Sequence, residues 1–334
     1  MKFQTIIFAL SLASTTALGG QSVSSCLSKA DPKNCLADAA VAALATDKDS
    51  GSRIDGAAAL ITTLAKSDLR RDDILAIAKD DDTAPISSRW TLAVSRNTYA
   101  FRFGLPSESQ DHPARLNALG QFLRSRTDGM DRFGVIIAAC EAMDRESKQA
   151  QEKWNGALDG FCSMTPSDAD AMEREFPGLS VITEPLVAAY QKDRAALGRT
   201  LDSSIALLDR YQQMLDGKLP AKDREFIHGM IFLGHIFNAW ALATANQGVP
   251  AVKAAEIALD NLRKAPSADQ AKEFQLIKSM TSWIYAKAGM RNEAMKMIKA
   301  SLGKIDRKKN VAGGDIAAVL AMVIETLQEL ETRR

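Results

Sequence analysis

Residues 269–304 read DQAKEFQLIKSMTSWIYAKAGMRNEAMKMIKASLGK. Phe274, Ile277, Thr281, Ile284 and Ala288 step by three and four, which lines one face of a helix. Leu276, Met280 and Trp283 line a second face. A helix that is apolar on two faces is held between neighbours rather than laid on a surface. Gly289 marks its end, being free to take the positive φ of a helix C-cap. Ala294, Met297, Ile298 and Leu302 form the apolar stripe of a return helix. A hairpin of this kind cannot bury both faces alone, so hairpins stack.

Upstream, the same pattern returns. Trp240-Ala-Leu-Ala-Thr-Ala-Asn246 aligns without a gap with Trp283-Ile-Tyr-Ala-Lys-Ala-Gly289, forty-three positions later. The match continues beyond the turn, pairing Ala251 with Ala294, Lys253 with Lys296, Ala255 with Ile298, Ala258 with Ser301 and Leu259 with Leu302. Weaker echoes run from Arg53 to Ala78 and from Arg115 to Ala139. The spacing of Tyr285, Gly289, Ala294, Ile298, Ser301 and Leu302 resembles the signature of the tetratricopeptide repeat, with Asn246 standing where the earlier unit should carry glycine. The resemblance is clear over residues 226–304, weaker over 35–162 and absent between them. It implies an all-α fold, a right-handed α-solenoid of stacked antiparallel helix hairpins, in which the first helix of each hairpin lines a concave groove. Composition agrees with helices: aromatics are only 6%, whereas strands favour aromatic and β-branched residues.

Working outward, residues 1–19 read as a signal peptide. Lys2 is followed by an apolar run from Ile6 to Leu18, and Ala17-Leu18-Gly19 offers small residues for cleavage near Gly19 or Gly20. The mature protein is then periplasmic or secreted. Residues 20–162 read as an N-terminal array of helical hairpins, with Asn34 as N-cap of a helix over 35–45. Residues 163–180 read as a proline- and glycine-containing connection, opening with the helix start Thr165-Pro166-Ser167-Asp168. Residues 181–334 read as a C-terminal repeat array, in which 180–216 is one long helix or two. The final helix, with Ile316, Val319, Leu320, Val323, Leu327 and Leu330 apolar, suits a cap or a homodimer interface. Phe226 to Ala245 carries no formal charge and is long enough to cross a bilayer. Its two histidines, Asn238 and Thr244 favour a buried helix over a transmembrane span.

Four cysteines follow the leader: Cys26, Cys35, Cys140 and Cys162. An even number in an oxidising compartment points to disulfides. Of the three pairings, Cys26–Cys35 and Cys140–Cys162 join the nearest partners, and the tight pairs of a zinc site are missing. Val23-Ser24-Ser25-Cys26 also loosely resembles a lipobox, which would make Cys26 a lipid anchor and orphan Cys35.

The net charge of +1 gives no basic surplus for nucleic acid. No nucleophile elbow, HExxH, phosphate loop or dinucleotide fingerprint occurs, so no catalytic residue is assigned and no cofactor is expected. Glu225, His228 and His235 share one helix, but a di-iron bundle needs a second Glu-x-x-His, so no metal site is assigned either. If the resemblance holds, Trp240 and Trp283 face the groove with Lys287 one turn on and His235 beside them. Aromatics anchor interfaces well, although both tryptophans would equally serve as core between hairpins. The sequence therefore reads as an exported scaffold without enzymatic activity, binding a protein or peptide of the cell envelope. The alternative is a glycan-binding or peptidoglycan-modifying envelope protein.

Overall fold

A computed structural model describes residues 22–79, 81, 83–105, 118, 120–125, 129–144, 160–264, 270–306 and 311–333. Residues 1–19, read above as a signal peptide, lie outside them. Every regular element among the described residues is helical, so the fold is all-α. The α-helices are α1 (Pro32–Thr46), α2 (Ser50–Lys66), α3 (Asp73–Ile77), α4 (Ile86–Arg102), α5 (Gly129–Asp144), α6 (Pro166–Glu175) and α7 (Leu179–Tyr190). They continue as α8 (Arg194–Leu215), α9 (Ala221–Thr244), α10 (Gly248–Lys264), α11 (Gln270–Lys287), α12 (Arg291–Ile305) and α13 (Gly313–Thr332). A 3-10 turn, Val23–Ser28, precedes α1.

The chain divides into two compact units, and not at residues 163–180. Gly120–Gln270 form one, the middle unit; the described residues before and after it form the other, the terminal unit. Residues 163–180 lie wholly inside the middle unit, where α6 packs on α7.

In the terminal unit the last helix completes the core of the first two. Leu36, Ala40 and Leu44 of α1, Ile54, Ile61 and Leu64 of α2, and Leu320, Val323 and Ile324 of α13 share one buried cluster. The stripe expected to cap the chain or to pair two copies is therefore covered by the chain's own α1 and α2, save Leu330, which packs with Ala286 of α11 and Ala294 of α12. In a simple repeat array each unit touches only its neighbours; here the ends of the sequence meet. Glycine makes this approach possible. A Cβ on Gly314 would lie 1.8 Å from the Ser52 carbonyl oxygen, and one on Gly56 would lie 2.5 Å from the Gly314 Cα. Asp47, in the α1–α2 connection, accepts from the Gly314 N–H at 2.7 Å and from the Ser52 hydroxyl at 2.9 Å. It caps a helix that begins far away in sequence. Asp306 does the converse, accepting from the Val23 N–H at 2.6 Å and the Ser22 hydroxyl at 2.5 Å at the start of the 3-10 turn. Lys66 and Glu325, both largely buried, pair at 2.6 Å between α2 and α13.

Local starts follow cap chemistry. Asp31, rather than Asn34, caps α1: its side chain accepts from the Asn34 N–H, and Pro32 takes the first helical position, where its missing N–H costs nothing. Thr165 and Asp168 form a reciprocal capping box at α6, as their spacing anticipates.

One turn ends five helices. Asp68, Gly104, Lys192, Asn246 and Gly289 all take positive φ. In each case the next N–H reaches back to a carbonyl of the preceding helix. Leu69 bonds Leu64, Leu105 bonds Ala100, Asp193 bonds Ala188, Gln247 bonds Leu242 and Met290 bonds Tyr285, at 2.7–3.2 Å. This is the Schellman geometry. The last two share the forty-three-residue register down to single hydrogen bonds, and Asn246 occupies the left-handed region just as Gly289 does. The turn at Lys192 adds a hairpin where the sequence shows no repeat. Residues 180–216 are two helices, and the α8 stripe Leu197, Leu201, Ser204 and Leu208 matches Ala251, Ala255, Ala258 and Leu262 of α10 in spacing. It also matches Ala294, Ile298, Ser301 and Ile305 of α12. Ser204, Ala258 and Ser301 are each fully buried at the equivalent place. The weaker echo over 115–139 falls partly outside the described residues.

Candidate binding surface of the hairpins

α9 is the spine of the middle unit, packed on α7, α8 and α10. It is also long and apolar enough, by length and composition, to cross a membrane, and it is largely buried in the unit. It packs on α8, whose stripe is spaced alternately four and three: Leu197, Leu201, Ser204, Leu208, Tyr211 and Leu215. Leu208 seats on Gly234, where a Cβ would lie 2.5 Å from its Cδ2. Ser204 Oγ donates to Asn238 Oδ1 at 3.1 Å in this seam.

The residues expected to line a groove all have partners within the chain. Trp240 of α9 is half-buried, edge-on to the Tyr190 ring with centroids 6.5 Å apart. The Tyr190 hydroxyl donates in turn to Glu141 Oε1 at 3.0 Å. Trp283 of α11 is 9% exposed, with Lys287 Nζ 5.5 Å from its ring centre. Lys287 Nζ also pairs with Glu329 Oε2 at 2.9 Å, and Glu329 accepts from Arg333 Nε at 2.6 Å. Burial pushes the Glu329 carboxyl up, but the bonds from Arg333 and Lys287 outweigh it and hold it below its ordinary value. The two tryptophans occupy equivalent hairpin positions but belong to different units. His235 is mostly buried in α9. Burial pulls its pKa below the usual histidine range, partly offset by Asp209, so the ring is neutral at neutral pH. His228 Nδ1 lies 3.2 Å from Asn261 Oδ1. Among the described residues no group of three or more His, Cys, Asp or Glu side chains is arranged to hold a metal.

No protein-family profile, no curated protein and no solved structure matches this chain. What it does must therefore be argued from its own surfaces.

Two clusters gave no warning in the sequence. Glu173 of α6 accepts from the Gly178 N–H at 2.7 Å and from the Ser180 N–H and hydroxyl at 3.2 and 2.5 Å, which caps α7 from outside. Glu184, one turn and a half into α7, is pushed above the ordinary glutamate range by burial and by the charge of Glu173. Tyr211, whose hydroxyl donates to Pro177 O at 2.7 Å, is raised by the same two causes. The second cluster puts Arg124 and Arg132 each 3.5 Å from the carboxylate of Asp168, which is 1% exposed. Capping boxes have a sequence signature; a side chain recruited from another helix to complete one has none.

Both cysteine pairs form the disulfides expected from proximity, Cys26–Cys35 and Cys140–Cys162, and no described cysteine is free. With Cys26 bonded to Cys35, its sulfur is not open to a lipid thioether. Two such bridges fit an oxidising compartment. Among the described residues, large apolar side chains that remain exposed are few: Ile205 and Met214 on α8, Val249 and Ile257 on α10, and Phe122.

Proposed function

We propose that this protein is an exported, non-enzymatic scaffold that binds a protein or peptide of the cell envelope across the faces of its helical hairpins. In this reading residues 1–19 direct export, and the hairpins stack as a right-handed, tetratricopeptide-like array. The observation that carries the reading is the recurrence of one turn and one buried stripe in the α7–α8, α9–α10 and α11–α12 hairpins. Chains built by repeating a hairpin bury a continuous core between units and leave the repeated faces to a ligand. Half-buried Trp240 is the anchor to test first, since its ring is only partly engaged by Tyr190. The test is a pull-down from an envelope extract with the mature protein, beside Trp240→Ala and Lys287→Ala. Retention of defined proteins by wild type and their loss by either variant, with circular dichroism unchanged, supports the reading. Equal retention by all three removes these residues from the surface.

A second reading, glycan binding or cleavage, is favoured by Glu184 alone. A half-buried carboxyl whose pKa is raised by burial and by a second carboxylate has the make-up of a general acid. Release of soluble fragments from peptidoglycan by wild type, abolished by Glu184→Gln, would establish it in place of the scaffold.

A further inference from the structure

Four consecutive carbonyl oxygens, from Gly160 to Ser163, are each taken by a side chain. Arg124 Nη1 donates to Gly160 O at 2.6 Å, and its Nη2 donates to Phe161 O at 3.2 Å and Ser163 O at 2.6 Å. Gln191 Nε2 donates to Cys162 O at 2.6 Å. The Phe161 ring lies beneath the guanidinium, 4.9 Å from centre to Cζ. The same ring seats on Gly120, one helical turn before Arg124, where a Cβ would come within 2.5 Å of it. Asp168 Oδ2 lies 3.5 Å from the same Nη2. A planar fork with several donors suits this task, because it can hold three carbonyls in one fixed arrangement. A segment with no regular structure otherwise has to leave its carbonyls to water.

We propose that Arg124 is a positioning residue for the Cys140–Cys162 bridge: it holds residues 160–163 in the bonding conformation before the sulfurs join. Cys140 is fully buried in α5 and Cys162 is slightly exposed. Glutathione disulfide, as oxidant, therefore meets Cys162 first. The Cys162 thiolate attacks one glutathione sulfur, forming a mixed disulfide and releasing one glutathione thiolate. The Cys140 thiolate then attacks Cys162 Sγ, closing the bridge and releasing the second. Each cysteine gives up its proton to water, and the two electrons lost by the pair leave in two reduced glutathiones. The second step is where Arg124 acts, since it fixes the distance between Cys140 and the mixed disulfide.

The test uses the mature full-length chain, reduced without denaturant and equilibrated in glutathione redox buffers. Alkylation and peptide mapping read each cysteine pair separately. Arg124→Ala and Arg124→Lys, the latter keeping the charge but not the fork, are expected to lower the effective concentration of the Cys140–Cys162 pair by about tenfold or more. Gln191→Ala is expected to lower it less, and the Cys26–Cys35 pair, in the other unit, to stay unchanged. Leu197→Ala, which destabilises the same unit through the α8 seam, separates positioning from general stability. The proposal stands if the Arg124 variants lower the Cys140–Cys162 pair while Leu197→Ala leaves it near wild type. It falls if Leu197→Ala lowers the pair as far as the Arg124 variants do, or if Arg124→Ala closes the bridge as readily as wild type.

Discussion

At Gly314 a hydrogen stands where a methyl carbon would lie 1.8 Å from a backbone oxygen of α2. Backbone cannot rotate out of the way as a side chain can, so α13 would have to lift from α2. Gly314→Ala is expected to destabilise the terminal unit by about 3 kcal/mol or more, read as a fall in thermal midpoint. Asp306 supplies a pH-dependent counterpart. Burial raises its carboxyl, but the hydrogen bonds from Ser22, Ser24 and Val23 prevail and hold it below the ordinary 3.8. A carboxyl lowered by folding lends stability that is whole above its unfolded pKa and is lost as pH falls through the folded one. Stability of the terminal unit should thus decline from about pH 4 downward, and the decline should be shallower in Asp306→Asn by chemical denaturation at several pH values. His235 and Glu184 act on the middle unit. Lowered by burial, His235 lends stability above pH 6.5 that fades as the pH drops below that value. Glu184 is raised, so its stability contribution is whole below 4.5 and is lost as pH rises. Glu184→Gln should therefore raise the thermal midpoint at pH 7.5 and leave it nearly unchanged at pH 4. None of these assignments was legible in the sequence, because burial and partner identity set each of them.

Hairpins, by contrast, were largely legible. Periodicity located α9 to α12, and the shared turn gave their register. The α7–α8 hairpin escaped notice because Lys192 takes the glycine's place and α8 is long, which puts Lys192 fifty-four positions before Asn246 rather than forty-three. Stripe spacing, Leu197-Leu201-Ser204-Leu208, was the signal that could have found it. The turn itself makes a clean test. A Cβ on Gly289 would meet nothing within 4 Å, so Gly289→Ala should cost only the strain of positive φ, about 1–2 kcal/mol. Asn246→Gly, at the equivalent place, should be neutral or mildly stabilising. If Gly289→Ala is neutral as well, the left-handed turn is not what ends α11. The groove residues were legible as equivalent positions, and Lys287 as a neighbour of Trp283 on one helix, yet Tyr190 beside Trp240 and Glu329 beside Lys287 come from helices distant in sequence.

On the scale of the whole molecule, the division into units could not be read from composition, since no flexible linker marks it. An apolar stripe tells that a helix is covered; it does not tell by what. The stripe of α13 was visible, but its partners lie at the other end of the chain. Residues 120–270 should fold alone, with cooperative thermal unfolding and a native Cys140–Cys162 bridge, because their core is their own. Removing α13 should leave that unit intact and abolish cooperative unfolding of the other, which calorimetry can show as the loss of one transition.

Because α13 covers α1 and α2, that face of both helices stays open until α13 has been made. Until then Leu36, Ile54 and Ile61 lack the Leu320, Val323 and Ile324 side of their cluster, and Asp47 lacks the Gly314 N–H. The terminal unit thus cannot complete its core before α13 emerges, whereas the middle unit, which lies between, can complete its own earlier.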